Sequence, residues 1–126
     1  MLDQHSGLNH QNLFDHILLV DSTITKENNK FMPFTEGGAA YWKPASAPYS
    51  TFWNIEMHFL NTGDFQDTID IFPVTESPYA NLIGIYGNVP LKMKYGPHAY
   101  TEGINMPDLT IESLYRHQLT ERLKSN

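Results

Sequence analysis

Asp15, Glu56 and His58 are the residues of this chain whose types and spacing suit acid–base chemistry. Glu56 and His58 stand two apart in TFWNIEMHF, so an extended strand puts both on one face, together with Asn54. A carboxylate and an imidazole placed that way serve as an acid–base couple or as part of a metal site. Asp15, in NLFDHILLV, is the acid that a neighbouring strand would bring close. A strand spacing of about 4.8 Å and a two-residue offset of about 6.6 Å give roughly 8 Å between Asp15 and Glu56, inside the window of about 5–10 Å that glycoside hydrolysis needs. The competing reading is that Asn54, Glu56 and His58 are simply the wet side of a half-buried strand. A second set suits sugars. Trp42 and Tyr49 in AAYWKPASAPYS, with Lys43 beside them, and Tyr86 on a later strand carry flat rings able to stack on the C–H face of a pyranose; burial of Trp42 against the rest of the fold is the alternative. His5, His10 and His16 lie close together, but spacings of five and six residues match neither a helix face nor a strand face. No metal site and no cofactor is expected.

The elements that must position these groups read as strands. NLFDHILLV from Asn12, TFWNIEMHF from Thr51 and NLIGIYGNV from Asn81 share a small polar opening, two large apolar residues and a strand-like run. Aligning Phe14, Trp53 and Ile83 gives spacings of 39 and 30 residues, the scale of a repeat architecture. Strict alternation then predicts an inner face of Phe14/Trp53/Ile83, His16/Ile55/Ile85 and Leu18/Met57/Gly87. The outer face carries Asp15/Asn54/Gly84, Ile17/Glu56/Tyr86 and Leu19/His58/Asn88. On that register Trp53 is a core residue and His16 a buried, hydrogen-bonded one. Further strands are expected at 38–42, 68–74, 91–95 and 99–104, separated by breakers such as ENNK, NTGD and YGPH. An antiparallel sandwich is the alternative, but tight Asn-Gly or Asp-Gly hairpin signals are absent. The C-terminal MPDLTIESLYRHQLTERLKSN predicts an amphipathic helix over 110–124, capped by Thr110. Ile111, Leu114, Tyr115, Leu119 and Leu123 form its apolar stripe.

Composition narrows the function classes. The 126 residues suffice for one domain, with coils over 1–105 and the helix in 106–126. Hydrophobic content is 40% and charged content only 17%, as in β-rich proteins. The net charge is −6 and the eight Lys and Arg do not cluster, which removes the electrostatic footprint of a nucleic-acid binder. With no cysteine there is no thiolate chemistry and no disulfide. No apolar run is long enough to span a membrane, and the N-terminal stretch does not have the pattern of an export signal.

The stretches HQNLFDHI (10–17), STFWNIEMHF (50–59) and PDLTIESLYRHQLTERL (107–123) resemble the C-terminal part of bacterial right-handed parallel β-helix proteins of polysaccharide-utilisation systems. That part forms a domain-of-unknown-function group in the pectate-lyase-like superfamily. Ser113, Leu114, Tyr115, Gln118, Leu119, Arg122 and Leu123 match its closing SLYxxQLxxRL helix, and GPHAYTEGIN matches the turn and strand before it. The likeness covers about nine tenths of the chain. It implies an all-β, right-handed parallel β-helix (solenoid) end fragment of about three coils, closed by the C-terminal amphipathic helix. The implied parent is a secreted or periplasmic polysaccharide lyase or glycoside hydrolase, with its catalytic coils upstream of Met1. The chain lacks the DD, GHG and RxK signatures of polygalacturonase-like enzymes. A non-catalytic glycan-binding or adhesin-type solenoid is therefore the alternative, and a standalone β-sandwich binding module a third reading. The expected partners are a polysaccharide or oligosaccharide and either upstream coils or a second copy, stacked on an uncapped N-terminal end.

Overall fold

The structure, a computed structural model, describes residues 12–33, 50–63, 67–71, 80–94 and 99–124. Its strands form two parallel sheets that the chain visits in turn. The first contains β1 (Leu13–Asp21), β3 (Thr51–Phe59), β5 (Asn81–Gly87) and β7 (Tyr100–Glu102), hydrogen-bonded in that order. The second contains β2 (Lys30–Phe31), β4 (Ile69–Ile71) and β6 (Leu91–Met93). One helix, α1 (Leu114–Lys124), follows. Every pairing among the described strands is parallel, which excludes an antiparallel sandwich built from them, because hairpins join strands running in opposite directions. Of the expected strands, 38–42 lies outside the described residues, as do parts of 68–74 and 91–95. β4, β6 and β7 fall within the expected 68–74, 91–95 and 99–104, and β2 falls partly in a stretch read as a breaker.

The register of β3 on β5 is the expected one, with Trp53 opposite Ile83 and Glu56 opposite Tyr86. That of β1 is shifted by one residue: Phe14 lies opposite Phe52 and Asp15 opposite Trp53. Within each strand the inward–outward pattern also departs from strict alternation, and that departure has a backbone cause. His16, Asn54 and Gly84 occupy equivalent rungs of the first sheet and all have positive φ, at 56°, 53° and 66°. Gly103, at 64°, continues the series past Glu102, which pairs with Ile83. A left-handed residue inside a strand bends it and breaks the two-residue alternation. Inward positions are therefore Phe52, then Ile55, Met57 and Phe59, with Trp53 and Asn54 skipped. β5 repeats the step with Leu82 and Ile85, and β1 with Phe14, Ile17 and Leu19. Trp53 is thus an outer-face residue, not a core one. Leu18 likewise points outward at 58% exposure, and His16 is exposed rather than buried.

The core lies between the sheets. Phe52, Ile55, Met57, Leu82 and Ile85 from the first meet Ile69, Ile71 and Leu91 from the second. Phe14 stacks on Phe52 with centroids 5.0 Å apart, and Phe31 meets Phe59 edge-on at 5.4 Å. Side-chain amides join rungs where strands end. Asn88 accepts from the Phe59 N–H and donates to the Phe59 carbonyl, both at 2.9 Å. Asn105 does the same to Leu91 at 2.7 and 2.9 Å. Each amide replaces a missing backbone partner with one donor and one acceptor. Asp21 orders the turn after β1 by accepting from the Thr23 and Ile24 N–H groups, which directs Ile24 into the core.

Gly84 is the tightest rung. A Cβ there would lie 2.8 Å from Leu109 Cδ2, in a backbone region that side chains disfavour. Gly84→Ala is expected to lower stability by about 1–3 kcal/mol in urea denaturation. Adding Leu109→Ala should relieve only the contact and leave the backbone cost.

Candidate functional site

The outer face of the first sheet carries the chain's polar chemistry, and a C-terminal strap decides which groups remain available there. Residues 103–113 run back across the sheet from β7 towards β1, passing over the positive-φ series. Leu109 covers Gly84. The Trp53 indole Nε1 donates to the Ile111 carbonyl at 2.8 Å, and Asn54 Nδ2 donates to the Glu112 carbonyl at 3.0 Å. The strap ends at Asp15. Its carboxylate accepts from Ser113 Oγ at 2.7 Å and from the Leu114 and Tyr115 N–H groups, both at 3.0 Å. Ser113 Oγ in turn accepts from the Arg116 N–H at 3.2 Å. Ser113 and Asp15 together satisfy amides that the first turn of α1 leaves without helical partners.

Helix α1 therefore begins at Leu114 rather than 110, with Ser113 and not Thr110 as its cap. It does not cover the last strand. Its main contact is with β1, and none of its residues is buried. Tyr115, Leu119 and Leu123 remain exposed, so the expected apolar stripe faces away from the core. A groove of about 510 Å³ separates His16 from the Arg116, His117 and Thr120 side of the helix.

Each candidate residue now has a place. Asp15 and Glu56 both lie on the outer face, but the shifted register sets them three residues apart, about 10 Å of strand. Both Asp15 oxygens are occupied by the helix cap. Asn54 is a clamp for the strap and does not share the row of Glu56 and His58. Glu56 is exposed and its carboxylate accepts a hydrogen bond from Tyr86, its neighbour in register. Partial burial, followed by the charge and hydrogen bond of Glu56 and the charges of Asp108 and Glu112, raises the Tyr86 phenol above its ordinary value. His58, also exposed, borders a cavity of about 340 Å³ with Thr62, Asn88 and Val89. Trp42, Lys43 and Tyr49 lie outside the described residues. Among the described residues no group of three His, Asp or Glu is placed to hold a metal, and no helix is long and apolar enough to cross a membrane.

Sequence reasoning missed Trp53 as an outer-face aromatic and Asp108 as a charge near Tyr86. The signal for the first was present, in the His, Asn and Gly types that tolerate positive φ. Nothing local signalled the second.

Asp15→Ala should cost about 1–2 kcal/mol and reduce helical circular dichroism, with Asp15→Asn intermediate because its amide oxygen still accepts. An unchanged melt for Asp15→Ala would contradict the capping role. Glu56→Gln removes the charge that favours the neutral phenol, so Tyr86 should titrate at lower pH. The difference between spectrophotometric titrations with and without Tyr86→Phe reads this directly.

Compared with family models, curated proteins and solved structures, the chain has no match.

Proposed function

We propose that this chain forms coils of a right-handed parallel β-helix in a secreted or periplasmic carbohydrate-active protein, where it holds glycan on the outer face of the first sheet without cleaving it. The observation that carries this reading is the division of labour between its acids. Glu56 stands exposed beside Tyr86 on adjacent strands, a flat polar and aromatic surface suited to sugar hydroxyls. Asp15, the acid that would complete a hydrolytic pair, is consumed in seating the helix. The alternation of parallel strands between two sheets supports the coil reading. So does the incomplete burial of Phe14 and Ile17 on β1, where the equivalent residues of β3 and β5 have no exposure. Among the described residues no strand pairs with the other edge of β1, which makes that edge the surface on which a further coil or a second copy would stack.

The test is retention of the purified chain on a panel of insoluble polysaccharides, with reducing ends and unsaturated products assayed in parallel. Binding lost in Tyr86→Ala and weakened in Glu56→Gln, without product formation, is the expected result. Cleavage abolished by Glu56→Gln would overturn the non-catalytic role, and no retention on any glycan would overturn the function.

A further inference from the structure

The strap does not lie flat on the sheet. Beneath it, between β3, β5 and the segment after β7, is a cavity of about 330 Å³. This is the lower end of the small-molecule pocket range, roughly 300 Å³, and suits one ring rather than a polymer segment. Trp53, Met106 and Leu109 supply apolar walls, and Glu102, Asp108 and Thr110 supply polar groups. The indole is held in place by its hydrogen bond to the Ile111 carbonyl. A rigid aromatic wall requires little ordering when a ligand arrives. No Lys, Arg or His is among the described residues that line the cavity.

Charge decides what this cavity accepts. Glu102 and Asp108 are both exposed carboxylate-bearing residues on its rim. Glu102 also accepts a hydrogen bond from the Tyr100 hydroxyl at 2.9 Å, which restricts its carboxylate. Asp108 contributes to the field at Tyr86, as do Glu56 and Glu112, so the negative potential extends from the cavity to the open sheet. A uronic acid would enter against this potential with no cation among the described lining residues to receive it.

We infer that the cavity under the strap binds an amino sugar, its protonated amine received by Asp108 and Glu102 and its C–H face set against Trp53. The amine gains charge-assisted hydrogen bonds and a favourable approach to the indole. The inference rests on the glycan-binding reading above and adds to it the class of sugar.

Trp53 reports its own occupancy. Trp42 and Trp53 are the two tryptophans, so a Trp42→Phe full-length chain leaves Trp53 as the sole emitter. This chain is titrated with glucosamine oligomers, with neutral glucose oligomers and with oligogalacturonides. The expected result is a saturable emission change with glucosamine oligomers, and an affinity at least tenfold lower with the other two. The double change Glu102→Gln and Asp108→Asn should weaken glucosamine binding at least tenfold. Both residues are exposed, and an unchanged melting curve verifies that the variant is folded. Silence of Trp53 towards glucosamine oligomers would overturn the site, as would equal or tighter binding of either other oligomer or no effect of the double change. The two readings fail separately. Polysaccharide retention that depends on Tyr86 while Trp53 stays silent removes only the cavity. A Trp53 response without Tyr86-dependent retention removes only the open-face site.

Discussion

The positive φ shared by His16, Asn54, Gly84 and Gly103 sets where every other group in the first sheet points. An L-residue in the left-handed region costs about 1–2 kcal/mol, and glycine much less. Two of the four rungs use glycine. At Asn54 the side-chain hydrogen bond to the Glu112 carbonyl offsets part of the cost. What the bend achieves is a change of parity. Phe52 and Ile55 both face inward although three residues apart, and Trp53 is turned out between them. Without the bend Trp53 would occupy the core, and the strap would have neither the indole donor nor the shallow floor that Gly84 provides.

The strap and the sheet depend on each other. A segment without regular structure leaves backbone carbonyls to satisfy, and here Trp53 and Asn54 supply donors to two of them. In return the strap shelters Ile83 and Trp53, apolar groups that would otherwise stand open on the outer face. The helix beyond it contributes no buried side chain. Its position rests on three hydrogen bonds to the carboxylate of Asp15 on β1, in place of the hydrophobic docking that an amphipathic pattern suggests.

Much of this was legible in the residues, and the misreadings have specific causes. The long strands and the register of β3 on β5 were visible because Thr51–Met57 and Asn81–Gly87 match in length and pattern. The pairing of Glu56 with Tyr86 follows from that register. The β1 register was misread because the shared opening of one small polar and two large apolar residues drew Phe14 to Trp53, when Phe52 is its true partner. The two-residue β2 gives no periodic signal. The helix was visible from its composition, but its start was not. Thr110 with Glu112 looks like a local cap, while the acting acid is remote in sequence. Asp108 reached the site only through the path of the strap, which no local pattern encodes.

The Asp15 to Tyr115 contact spans 100 positions of the chain. During synthesis β1 emerges 100 residues ahead of the amide of Tyr115 that engages its carboxylate. Asp15 thus stays solvated, and β1 stays unclasped, until α1 has been made. Fastening β1 to α1 closes a contact of long sequence separation, and slow closure is the consequence of that order.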